Sequence, residues 1–233
     1  VVQAPSNSND LLSPDYVESL RAAYHDQLFR QEVLAEFVDF STTPVYAEFD
    51  EARNVRPIKF VKNDTIFVGM DFNVNPMTAV FAQHLNGRFY VFDEIFLQNS
   101  RTELVIDEII KRYGHGLTIV PDATGAARKT SSAHSDINLL KNAGFRVLHS
   151  HNPAVIDRTN NVNRLLANGK IIVDPSCTHL IKDFQLASWK ANGQLDKTSD
   201  PLLNQIADGF GYLAWKLDPI RRNYGKDFKI TFS

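Results

Sequence analysis

Cysteine is almost missing from this chain. Cys177 stands alone among 233 residues, which excludes an internal disulfide and a cysteine-rich zinc site. No apolar run nears the ~18 residues of a membrane span, and no secretory pattern opens the sequence. Internal repeats and low-complexity tracts are lacking as well. Nor is there an excess of one charge: 25 Lys and Arg face 27 Asp and Glu, a formal net charge of −2. That balance argues against a protein coated in basic residues. We read a soluble protein of a reducing compartment. Its composition, 43% hydrophobic and 11% aromatic, suits one sizeable core, with or without a small appendage.

The charges are unevenly placed. Acids dominate residues 10–51, whereas bases dominate 125–170 (Arg128, Lys129, Lys141, Arg146, Arg158, Arg164 and Lys170) and return at Arg221, Arg222, Lys226 and Lys229. Such asymmetry marks either a local anion-binding face or solvated helix faces with no ligand. Residues 1–10 lack periodicity and read as a tether. Ser13-Pro14 predicts a helix over 14–30, a short second helix follows over 31–37, and VYAEFD (45–50) reads as extended.

From Thr65 the pattern becomes that of a sheet. TIFVGMDF and MTAVFAQHL are strands, and Asn86-Gly87 is a two-residue hairpin turn into RFYVFDEIFL. Three antiparallel strands in a meander result. A helix is expected over 101–113, with Leu104, Ile106, Ile109 and Ile110 as its apolar face. Next come a strand (LTIVPD), a helix over 135–142 capped by Ser135 or Asp136, and a strand (FRVLHS). A helix over 154–168, an extended KIIVDP and a helix over 175–188 follow. Asn192-Gly193 centres an exposed hairpin, and a last helix starts at Pro201. The sum is an α/β fold: a mixed sheet with helices on its faces.

Asp71 ends the first strand, in FVGMDFNVNP, where an anion is expensive unless it has a partner, a hydrogen-bond cage or a metal. Asp122 ends LTIVPD, and Asp208 is placed midway along the last helix. Strand ends in mixed α/β sheets form ligand crevices. Gly209 and Gly211 would let the last helix lie close to the strands and bring Asp208 over that crevice. Three carboxylates there would repel unless divalent cations neutralise them, and hard oxygen donors select Mg²⁺ or Mn²⁺. Two ions roughly 4 Å apart can activate water and stabilise the leaving oxygen in phosphodiester hydrolysis. Taken singly, Asp71 and Asp122 also read as Asx-type caps before a turn.

These motifs resemble the C-terminal nuclease domain of the large terminase subunit of tailed bacteriophages, from about Leu11 to the end of the last helix. GMDFNVNP, VPDATGAARKT and DPLLNQIADGFGY are similar to its three acidic motifs. SDINLLKNAGFRVLHSHNPAVIDRTNNVNRLL and IIVDPSCTHLIKDFQLASW are also typical of it. LSPDYVESLRAAYHDQLFRQEVLAEFVDFSTTPVYAEFD resembles the segment linking packaging ATPase to nuclease. The resemblance implies a ribonuclease H-like fold and a metal-dependent endonuclease that cuts double-stranded DNA during viral genome packaging. Asp71, Asp122 and Asp208 would be its catalytic and metal-binding triad, holding two Mg²⁺ or Mn²⁺ ions. Many relatives carry a His three residues before the last Asp and an Ala after it, where this chain has Gln205 and Gly209.

GAARKT imitates a phosphate loop, but Ala123 and Arg128 stand where both defining glycines belong, so no ATP site is expected. The chain would be a nuclease domain cut from a longer polypeptide. Residues 1–60 would be a linker or helical appendage from the end of an ATPase domain, 61–218 the nuclease, and 219–233 a basic tail. The implied partners are duplex DNA, the packaging ATPase, the portal and the small terminase subunit, in the cytoplasm of an infected bacterium, with no membrane. A junction-resolvase or transposase-type nuclease, or a non-catalytic docking module of the packaging motor, are the alternatives.

Further candidates are weighed against plainer roles. Glu94 and Asp200 are auxiliary metal ligands, or else a surface strand acid and a helix-dipole partner. His149 and His151 share a strand face but lack further ligands for a zinc site. Arg128, Lys129, Arg158, Arg164 and the hairpin's Lys190 and Lys197 are placed to grip DNA phosphates, which would make binding salt-sensitive and sequence-tolerant. Trp189 in that hairpin is a DNA contact or a packing residue.

Overall fold

A computed structural model describes residues 43–126, 135–198 and 200–220, together with positions 17, 18, 20, 21, 29 and 33–35. Most of the helices expected over 14–30 and 31–37, the bases Arg128 and Lys129, and the basic tail from 221 onward lie outside the described residues.

The centre is a six-stranded mixed sheet in the order β5-β4-β1-β2-β3-β6. β1 (Phe67–Asp71), β2 (Met77–Leu85) and β3 (Arg88–Leu97) form the antiparallel meander. Asn86 and Gly87, at φ 51 and 71, give the twist that a two-residue hairpin turn requires. β4 (Thr118–Pro121) runs parallel to β1, β5 (Arg146–Val147) parallel to β4, and β6 (Ile171–Val173) parallel to β3. The α-helices that lie wholly within the described residues are α1 (Glu51–Asn54), α2 (Thr102–Tyr113), α3 (Asp136–Asn142), α4 (Val155–Ala167), α5 (Thr178–Leu186) and α6 (Gln205–Leu217).

β1 to β4 each feed two cores, because successive side chains point to opposite faces. Val68, Met70, Phe81 and Ile119 pack with α2 and α3. Val80, Val91 and Val120 pack with α4, α5 and α6. Asp71 follows Gly69 by two residues and Asp122 follows Val120 by two, so both acids belong to the α6 face.

Several expected boundaries move, each for a local reason. The last helix starts at Gln205, not Pro201, because Asn204 holds a left-handed φ of 64. The Asp183 carboxylate caps the new start, accepting from the N–H groups of Asn204, Ile206 and Ala207. Asp208 is therefore in the first turn of α6 rather than midway along it. The helix expected over 175–188 is confined to Thr178–Leu186. Asp174 turns the chain at Ser176, and Glu94 accepts the N–H groups of His179 and Leu180. Residues 45–48 form a turn rather than extended chain, and of FRVLHS only Arg146 and Val147 join the ladder. Leu104 is 44% exposed; the buried stripe of α2 is Val105, Ile106 and Ile109.

Candidate metal centre

β1 and β4 pair in parallel up to Met70 and Pro121, and the Asp122 N–H extends the ladder to the Met70 carbonyl at 2.9 Å. Asp71 and Asp122 thus leave adjacent strand ends on one face. Asp208 reaches them because α6 crosses β1 backbone to backbone. A Cβ on Gly69 would collide with the carbonyl oxygen of Gly209, so glycine is required at that crossing. Gly211 makes room for a side chain instead. A Cβ there would lie 2.6 Å from Cγ and Cδ of Arg158, so its bareness admits the arginine stem.

The three carboxylates are 4%, 8% and 4% exposed for Asp71, Asp122 and Asp208, and each is engaged differently. Asp71 accepts from Asn73 Nδ2 at 2.8 Å, and Asn73 also donates to Gln205 Oε1. Asp122 accepts from Asn152 Nδ2 and from the Thr124 hydroxyl and N–H. Asp208 Oδ1 accepts from Arg158 and from Asn204 Nδ2, while Oδ2 faces Lys197 Nζ at 3.5 Å. Burial, then the charges of Asp208 and Asp122, push the Asp71 carboxyl up to about 7. Three acids thus share a crevice with two cations of the chain, an excess of negative charge in a poorly solvated place.

Among the described residues no three His, Cys, Asp or Glu side chains are drawn together tightly enough to hold an ion unaided. Asp208 is instead turned toward Arg158 and Lys197. The donor set nevertheless fits Mg²⁺ or Mn²⁺: it consists of hard carboxylate oxygens at neighbouring strand ends, and the charge that raises Asp71 is of the kind a cation relieves.

Other predicted site residues fall elsewhere. Arg158 is 4% exposed, lies over the Tyr212 ring at 4.4 Å and pairs with Asp208, so it is an internal counter-ion and not a surface phosphate contact. Arg164 bonds Asp218 and Asn161, which ties α4 to the end of α6. Glu94 caps α5 and bonds His179 Nδ1. Asp200 accepts from the Leu202 N–H and pairs with Lys182. These partners lie away from Asp71, Asp122 and Asp208. His149 and His151 are exposed and outside any strand, and Trp189 is a core residue at 5% exposure.

The hairpin forms, with Trp189 bridged to Leu195. Lys197, just beyond it, lines a cavity of about 620 Å³ with Ile156, Trp189, Leu195, Asp208 and Tyr212. Lys190 forms the hairpin neck through its backbone, to Gln194 and Gly193.

Sequence reasoning missed Asn73, Asn152, Asp183 and Asn204. The partners of Asn152 and Asp183 lie 21 to 30 positions away along the chain, and no local pattern announces such pairs. Asn73, two residues after Asp71 in a turn, carried a signal that could have been used.

A ribonuclease H-like mixed sheet, with acids at two adjacent strand ends and a third on the helix crossing them, defines a class of protein. Residues 68–202, more than half of the chain, match the family described as the terminase RNaseH-like domain. The chain belongs to that family. No curated protein sequence matches it.

Among solved structures it is similar to the large terminase of a thermophilic bacteriophage, at 19% identity and TM-score 0.67, over 93% of this chain and 55% of that one. It thus spans about half the length of that relative. It is also similar to the large terminase nuclease domain of bacteriophage SPP1 with bound Mn, at 17% identity and TM-score 0.54, over 74% of this chain and 97% of that one. The large terminase nuclease of thermophilic phage G20c with bound magnesium aligns at 12% identity and TM-score 0.52, over 75% and 97%.

Proposed function

We propose that this chain is the nuclease part of a phage DNA-packaging terminase, a divalent-metal-dependent endonuclease acting on double-stranded DNA. The observation that carries the reading is Asp71: a carboxylate 4% exposed at a central strand end, beside Asp122 and under Asp208, its proton affinity raised by both. Asp71, Asp122 and Asp208 would hold two Mg²⁺ or Mn²⁺ ions, the metals named in the SPP1 and G20c structures. Such ions supply a water of lowered pKa and charge stabilisation at phosphorus.

The chain's own residues prepare the site. Asn73 and Asn152 orient Asp71 and Asp122 through their amides. Arg158 offsets the charge of Asp208 from the protein side. Lys197 lines the cavity beside Asp208 and is half exposed, so a DNA phosphate entering there would meet a cation. Gln205 cannot serve as a titrating proton carrier where many relatives carry His.

We place the boundaries at 1–60 for a linker from a preceding ATPase domain, 61–218 for the nuclease and 219–233 for a basic tail. Duplex DNA, that ATPase, the portal and the small terminase subunit are the partners, in the cytoplasm of an infected bacterium.

Supercoiled plasmid incubated with Mn²⁺ or Mg²⁺ tests the reading, beside EDTA and Asp71→Ala controls. We expect nicked and linear products that EDTA and the substitution both abolish, with the variant folded by circular dichroism. Plasmid left intact by folded wild type under all conditions would remove intrinsic nuclease activity and leave a docking module of the motor.

A further inference from the structure

The Asp208 carboxylate is reached by a hydrogen-bond chain that begins far away in sequence. Tyr46, 2% exposed, donates its hydroxyl to Asn204 Oδ1 at 2.9 Å. Asn204 Nδ2 in turn donates to Asp208 Oδ1 at 2.7 Å. Both bonds are buried, and Asn204 itself is 2% exposed. An amide has one acceptor end and one donor end. An ionised carboxylate only accepts, so Asp208 takes the N–H end of Asn204, and the Tyr46 hydroxyl holds the opposite, acceptor end in place.

The segment carrying Tyr46 is fixed on both sides. Val45 N–H donates to the Ala187 carbonyl at 2.8 Å, Trp189 N–H donates to the Thr43 carbonyl at 3.0 Å, and Pro44 bridges Ser188. From α4, Asn163 Nδ2 donates to the Val45 carbonyl at 2.8 Å. Ala187 to Trp189 form the base of the hairpin that precedes Lys197, the second cation on Asp208. One short stretch is thus joined to Asp208 by two routes: directly through Asn204, and through the hairpin base toward Lys197. Burial keeps the Tyr46 phenol protonated, its pKa well above the ordinary value, so it remains a donor at any working pH.

We infer that Tyr46 is a positioning residue for the candidate metal centre, setting the Asp208 carboxylate through Asn204. The segment just before the sheet is then part of the site, and a displacement of residues 43–46 would change the readiness of Asp208 to bind a cation. This rests on the metal-nuclease reading for its consequence, though not for the relay itself.

Tyr46→Phe tests it in the full chain, since the ring that packs on Phe184 at 4.8 Å is kept and only the hydroxyl is lost. The Asn204 side-chain amide resonance, recorded without metal, reads the relay directly. We expect it to shift in Tyr46→Phe and in Asp208→Asn. Manganese affinity, from the paramagnetic resonance of free Mn²⁺, is expected to weaken about three- to tenfold in Tyr46→Phe, the range for one lost hydrogen bond. Plasmid nicking should lose kcat by a similar factor while KM for DNA stays put; a merely structural role would instead lower the melting temperature and spare these ratios. An unmoved Asn204 resonance, or wild-type Mn²⁺ affinity in folded Tyr46→Phe, overturns the inference. Equal Mn²⁺ binding by wild type and Asp208→Asn would instead sink the metal reading, with the amide resonance alone then deciding the relay.

Discussion

Asp71 shows how a single side chain sets the energetics of the crevice. Its carboxyl rises to about 7 because burial and then two neighbouring acids disfavour the anion. The unfolded chain ionises this residue near pH 4. Below that pH both states hold the proton and nothing is lost. Between about pH 4 and 7 the unfolded state releases it first, so stability falls as pH rises, and the cost is complete above the folded value. In EDTA, Asp71→Asn should therefore match wild type at pH 4 and exceed it at pH 8, by on the order of 2 to 4 kcal/mol. Denaturant titrations at the two pH values measure this. Adding Mn²⁺ at pH 8 should close the gap by stabilising wild type alone. Asp183 is pushed up to about 7 as well, by burial, although three backbone N–H groups oppose the shift. Its place is structural, as the cap that starts α6.

At the scale of elements, the crossing of α6 over β1 brings the third acid to the other two. Gly69 faces the Gly209 carbonyl so closely that a methyl group has nowhere to go, whereas a Cβ on Gly209 would meet its nearest neighbour at an ordinary 3.4 Å. Gly69→Ala should destabilise the protein by about 1–3 kcal/mol through overpacking and displace Asp208 from the crevice. Gly209→Ala should be far milder. Thermal melts rank the two, and equal effects would refute backbone contact as the cause. The hairpin turn at Asn86-Gly87 was legible in the sequence, and so was a close crossing of the last helix. Gly209 and Gly211 were expected to permit it, whereas Gly69 does so and Gly211 admits Arg158. The start of that helix was not legible. Its fourth residue looked like mid-helix because Pro201 and the apolar spacing of Leu202 and Ile206 favour an earlier start, while the Asp183 cap that resets it comes from another helix.

Across the whole molecule, the segment before the sheet is fastened to its far edge. Asn54, fully buried, donates to the carbonyls of Leu166 and Ile171 and accepts from the Asp50 N–H. Val55 bridges Val173, and the Gln83 amide exchanges two hydrogen bonds with Val61. Asn54→Ala would take its donor from the Ile171 carbonyl, while the Leu166 carbonyl keeps the Gly169 N–H, and should cost about 1–3 kcal/mol, with faster proteolysis before the sheet than within it as its signature.

The sequence by itself determined the meander, the alternation of helices and strands, and three acids placed at strand ends and on a late helix. Those features are written in period, turn chemistry and motif, which act over a few neighbouring residues. Tertiary structure alone decided what each polar group faces. It turned Arg158 inward onto Asp208, put Glu94 on the start of α5, and joined Tyr46 through Asn204 to Asp208. Each of those pairings spans 50 residues or more, and their geometry exists only once helices and sheet have packed.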